Sequence, residues 1–198
     1  GHYLITLPDS TDDAWRFEQN SWIWSQNGFF SALSHYKGPN PDFISFLISI
    51  PYSLFGRSLL MAQSISLFFG IASVFLCWLI AKKLWNDQIA NKAGWITALF
   101  PSLILYSVLF LREVYIVFFI LLALFGVVNW VKTNNLKSFI LAMIGFGGAT
   151  FFHGAMMIGA IAFISIVGIS SLKETFKLIS RGKINLKISI FLFSFVIF

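Results

Sequence analysis

Ser58–Ala81, SLLMAQSISLFFGIASVFLCWLIA, holds no charged residue and is bracketed by Arg57 and by Lys82-Lys83. Its length suits one membrane crossing, since a helical span takes about 20 predominantly apolar residues. Outward from it the pattern repeats. Ala93–Leu111, Val114–Val131 and Ser138–Leu172 are equally free of charge, the last interrupted only by His153. A further apolar run opens at Ile188 and continues to Phe198. The fourth run is nearly two spans long and divides at His153–Gly154. The fold class expected is therefore all-α integral membrane: a polytopic helical bundle of about five full spans plus a truncated one.

The gaps between the runs orient the bundle. Residues 1–57 carry net −2, residues 82–92 net +2, Arg112–Glu113 cancel, residues 132–137 carry +2 and residues 173–187 carry +4. Basic gaps mark the cytoplasmic side, and here every second gap is basic. Residues 1–57, Arg112–Glu113 and His153 are then expected on the extracytoplasmic face. This divides the chain into a first extracytoplasmic loop (1–57) and a transmembrane bundle (58–198). The bundle is expected to be C-terminally truncated, with one more helix ahead of Gly1. Trp78, Trp85, Trp95 and Trp130 fall at the opposite, cytoplasmic ends, where indole favours the headgroup layer. Composition agrees: 58% of residues are hydrophobic and 11% charged, against about 25% charged in a soluble domain. The net charge of +6 lies in short basic loops, so it marks topology rather than nucleic-acid binding. Cys77 is alone and within a span, which excludes a disulfide framework and a thiolate metal site.

Within the loop, Ser10-Thr11-Asp12-Asp13 is a helix-start signal. The aromatic and polar stretch that follows, to about Tyr36, predicts one or two helices lying on the outer membrane surface. Gly38-Pro39-Asn40-Pro41 predicts a break. Phe43–Phe55 is apolar but too short to span, and Pro51 interrupts it. Several of these residues carry a resemblance. Asp13, Phe17, Ser21 and Gly28, then Pro41-Asp42-Phe43, Leu54-Phe55-Gly56-Arg57-Ser58 and Pro101, follow in the order and rhythm of the GT-C membrane glycosyltransferases. The protein O-mannosyltransferase and aminoarabinose transferase branch is the nearest in pattern, over roughly residues 9–131. The resemblance implies a sugar moved from a polyprenyl-phosphate donor to an acceptor hydroxyl at the extracytoplasmic face. It also implies a first-loop Asp acting at the acceptor.

The leading carboxylate is Asp13, from its register with Phe17, Ser21 and Gly28. Asp12 follows, with a chance to pair with Arg16 four residues on, and Asp9 comes third. An outer-surface carboxylate can take the acceptor proton; the plainer reading is helix-dipole complementarity worth about 0.3–1 kcal/mol. Arg57, Arg112, Glu113 and His153 are the substrate-binding candidates, because cations near the headgroup plane can hold a lipid phosphate. His35 and Lys37 are weaker candidates on the same face. Arg112–Glu113 reads equally as a snorkelling pair that ends two spans, and His153 as a histidine bonded to a neighbouring helix. No cofactor is required. A divalent cation would need Asp9, Asp12 and Asp13 to converge. Gly145, Gly148, Ala149, Ala155 and Gly159 predict close helix packing, and Lys173–Lys187 a basic interfacial helix. The partners expected are membrane lipid and a polyprenyl-phosphate sugar, with no nucleic acid. Two other classes fit a polytopic chain: a polysaccharide polymerase or ligase with a lipid-diphosphate donor, and a non-enzymatic transporter or membrane scaffold.

Overall fold

A computed structural model of the chain describes residues 10–180, with side chains from 12 to 170. Every regular element among these residues is helical: α1 (Ser10–Ser25), α2 (Phe29–Ser34), α3 (Phe43–Phe55), α4 (Leu59–Leu84), α5 (Asp87–Ala98), α6 (Pro101–Val108), α7 (Glu113–Thr133), α8 (Leu136–Phe152) and, after a 3-10 turn at Gly154–Met156, α9 (Met157–Ser180). Two of them, α4 and α7, are long and apolar enough to cross a membrane; α3, α8 and Gly154–Ser170 are shorter apolar helices. The described residues form two compact units that divide between Met157 and Ile158.

Local chemistry sets the helix ends. The Ser58 hydroxyl accepts from the Met61 amide and starts α4, and the Asn86 side-chain Oδ1 accepts from the Ile89 amide and starts α5. Lys82 and Lys83 close α4 and Lys132 closes α7, where cations complement the helix dipole. α8 ends at Phe152, and His153 adopts an extended backbone (φ −154°, ψ 106°). The long fourth run is thus divided at His153–Gly154, where its length required.

One expected span is not a single helix. Ala93–Leu111 is covered by two: α5 begins earlier, at Asp87, and α6 begins at Pro101. Proline has no amide to donate, and it drives the preceding residue out of helical space; Phe100 accordingly sits at φ −69°, ψ 115°. Leu109–Arg112 then runs without regular helix into α7. That stretch supplies the turn for which Leu111–Val114 has no glycine or proline. In the second unit the backbone of α9 continues unbroken through Lys173 to Ser180, so the basic segment does not begin a helix of its own. Residues 181–187 and the run from Ile188 lie outside the described residues.

Packing in the first unit rests on small residues and aromatic rings. α7 and α8 approach so closely that a Cβ on Gly145 would lie 2.6 Å from Ala123 Cα, and one on Gly126 2.7 Å from Ala142 Cα. Gly148 is filled by the Phe119 ring and Ala149 is buried, whereas Ala155 is exposed. A single apolar cluster joins Phe17, Ile44, Ile48 and Tyr52 to Ala62, Leu103, Phe110, Val114, Tyr115 and Phe152. The N-terminal helices are therefore built onto the bundle core rather than hung from it.

Candidate functional site

The bundle has two chemically different ends. At one, Lys82 pairs with Asp87 at 2.8 Å and lies 4.8 Å from the Trp78 ring centre. Lys132 Nζ reaches across to the Lys83 carbonyl, so the 82–92 and 132–137 gaps meet there. At the other end the Asn40 amide donates to the Phe151 carbonyl at 3.3 Å. The Phe43 ring meets Phe152 at 5.1 Å, and Phe152 stacks on Tyr115 at 5.1 Å. Tyr115 and Ser66 share a hydrogen bond of 3.0 Å. These contacts draw the start of α3, the end of α8 and the first turns of α4 and α7 together. Residues 10–58, 109–113 and 151–153 accordingly occupy one end.

The acids of α1 lie at this end. Asp13 Oδ1 is 3.0 Å from the Arg16 guanidinium, which also approaches Asp42 Oδ1 at 3.9 Å. Arg16 lies 4.9 Å from the Phe17 ring centre, and Phe17 is buried, so the cation is steadied by its neighbour. The Asp12–Arg16 pairing expected four residues apart is replaced by Asp13–Arg16, three apart. Asp12 is exposed and has no ion-pair partner among the described residues. Asp9 lies outside them. Asp42 Oδ1 is sheltered and accepts no hydrogen bond.

Arg112 stands at the head of α7, makes no capping hydrogen bond and is half-buried; its Nε lies 3.7 Å from Glu113 Oε1. Glu113 Oε2 is sheltered with no donor. His153 is exposed at the end of α8. His35 shares a 2.8 Å hydrogen bond with the Ser31 carbonyl and stacks on Trp24 at 5.2 Å. Lys37 is exposed. Among the described residues no group of three or more His, Cys, Asp or Glu is disposed to hold a metal ion.

Arg57 is committed elsewhere than expected. Its Nε and Nη2 donate to the two oxygens of Glu18 at 3.0 and 2.7 Å, and the Tyr52 hydroxyl donates to Glu18 Oε1 at 3.1 Å. The Glu18 side chain is only 8% exposed, that of Arg57 47%. Burial first, then the adjacent carboxylate, pushes the Tyr52 phenol well above its usual pKa. The Glu18 hydrogen bond likewise holds Arg57 more firmly protonated. Sequence reasoning missed Glu18. Its signal was present: Ala14, Phe17, Ser21 and Ser25 form the buried face of α1, and Glu18 falls on that face at helical spacing. A carboxylate there requires a partner.

Chemically this end presents an unpaired surface carboxylate (Asp12), carboxylates with unused acceptor oxygens (Asp42, Glu113), a guanidinium (Arg112) and an exposed imidazole (His153). Such a set can accept hydroxyl protons and hold an anion. The family model for dolichyl-phosphate-mannose-protein mannosyltransferases matches residues 39–198. It takes in Asp42, Arg57, Arg112, Glu113 and His153 and begins after α1. No curated protein and no solved structure matches the chain.

Proposed function

Because the chain belongs to the dolichyl-phosphate-mannose-protein mannosyltransferase family, whose members are GT-C membrane glycosyltransferases, we propose that it moves a sugar from a polyprenyl-phosphate donor to an acceptor hydroxyl at the extracytoplasmic membrane face. The transporter reading falls with that membership, because the family is one of enzymes. What supports this reading is that Asp12, Asp13, Arg112 and His153 lie at the bundle end away from Lys82, Lys83 and Lys132. The basic end belongs in the cytoplasm by the positive-inside rule, which puts the carboxylates outside. The two long apolar helices are joined in this reading by α5–α6, α8 and α9 as further crossings.

In the reaction, the acceptor oxygen forms a bond to the anomeric carbon while the bond from that carbon to the phosphate oxygen breaks. The electron pair leaves with polyprenyl phosphate, and the acceptor proton goes to a carboxylate. Asp12 is the better placed of the two acids of α1, because Asp13 Oδ1 is already engaged by Arg16. An unpaired carboxylate keeps its lone pairs for an incoming hydroxyl. Arg112 holds the departing phosphate by charge-assisted hydrogen bonds, and His153 adds a donor at the same surface. Glu113 orients Arg112.

The test uses the full-length protein in nanodiscs with two donors carrying the same sugar, one on polyprenyl phosphate and one on polyprenyl diphosphate. Transfer from the monophosphate alone is expected. Transfer only from the diphosphate would convert the assignment to a polymerase or ligase.

A further inference from the structure

Glu18 is the one charged residue buried among the described residues, and the transfer reaction above makes no use of it or of its partners Arg57 and Tyr52. The three come from different places: Glu18 from α1, Tyr52 from α3 and Arg57 from the link between α3 and α4. Glu18 follows Asp12 and Asp13 by six and five residues, about 7.5–9 Å along the helix axis. At about 100° per residue the two acids point some 120–140° away from it. The buried side of α1 is thus tied down while the acids face away. A second tie lies on the same side, where the Ser45 hydroxyl donates to the Phe17 carbonyl at 3.0 Å.

We infer that Glu18 and Arg57 are positioning residues: a bidentate pin, completed by the Tyr52 hydroxyl, that sets the axial place and rotation of α1 and so delivers Asp12 and Asp13 to the reacting centre. The geometry sets this apart from phosphate binding by Arg57. Two guanidinium nitrogens are consumed by Glu18, and the face of the group lies 5.8 Å from the Trp22 ring centre. A bidentate fork restricts rotation as well as distance, whereas the apolar packing of Phe17 alone would permit α1 to roll. The pin rests on the assignment of the base to α1, and its test separates the two.

Spin labels at Trp15→Cys and Lys137→Cys, in a Cys77→Ala background of the full-length protein, report where α1 sits relative to α8. Both positions are exposed. Glu18→Gln keeps the size of the side chain, Arg57→Gln shortens it by two heavy atoms, and each removes one charge. The double variant leaves two amides able to bond and no unpaired buried charge. Each single variant is expected to broaden the distance distribution and lower kcat at least tenfold, with KM for the lipid donor within about twofold. The double variant is expected to recover part of both. An unchanged distribution with unchanged kcat in both single variants overturns the pin. So does a donor KM raised by Arg57→Gln but not by Glu18→Gln, which would make Arg57 a phosphate ligand. A broadened distribution with undiminished transfer keeps the pin and removes the base from α1.

Discussion

Tyr52 shows how one hydroxyl ties local burial to pH. It is almost wholly inside the protein and donates to a carboxylate, so its ionised form is disfavoured twice, by lost hydration and by like charge. Its folded pKa is raised above the unfolded value. The stability it contributes is therefore fully present below about pH 10, the ordinary phenol value, and is lost as pH rises beyond it. Tyr52→Phe should cost about 1.5–3 kcal/mol at pH 8, the worth of a hydrogen bond to a charged group. One pH unit above the unfolded value the gap between wild type and variant should close by about 1.4 kcal/mol. Thermal unfolding in detergent at pH 8 and pH 11 measures both; a gap that does not change with pH would dissociate Tyr52 from the carboxylate. At this scale the sequence was legible only in part. Asp12, Asp13, Arg112 and His153 announce themselves as charges or hydrogen-bonding groups beside apolar runs. Glu18 does not, because its importance lies in facing inward. Arg57 was visible as a cation just before a span, but nothing in its neighbours along the chain reveals a partner 39 positions away.

Among the elements, the α7–α8 pair depends on missing side chains. Gly145 allows the two backbones to touch, whereas Gly147, on the same helix, has open space around its would-be Cβ. Gly145→Ala should then destabilise the pair by about 1–3 kcal/mol through overpacking. Gly147→Ala should be neutral, or stabilising by up to about 1 kcal/mol from helix propensity. Equal effects in SDS or thermal titrations would mean that the close approach is not what holds these helices. The small-residue spacing pointed to close packing at Gly145 from sequence alone, but not to α7 as the partner, and Ala155 of the same set is exposed. The position of the break within Ala93–Leu111 did not show, because hydropathy runs straight through Phe100-Pro101 while the backbone cannot. The boundaries of α3 and the division at His153 were legible for the opposite reason: charge, glycine and proline coincide with the ends of the apolar runs.

For the whole molecule, the alternation of loop charge and the grouping of helix ends are two independent views of one arrangement. The first comes from counting lysines and acids, the second from contacts such as Asn40–Phe151 and Lys132–Lys83. Within the first unit they agree on which loops share an end, and the proposed orientation rests on the positive-inside rule. Cysteines introduced at Asn27 and at Asn134, one per protein in a Cys77→Ala background, should react from opposite sides, with an impermeant reagent reaching Asn27 from outside. Labelling from the same side would undo the grouping. The central claim, that a carboxylate at the head of α1 accepts the proton as the sugar moves, is met most directly by the turnover of Asp12→Asn and Asp13→Asn in the full-length enzyme with a polyprenyl-phosphate sugar. An amide keeps size and hydrogen bonding but not basicity, so Asp12→Asn should lose roughly 10²–10⁴-fold in kcat with donor binding intact, and Asp13→Asn should lose less. Near-normal turnover by both variants and by their double would contradict it.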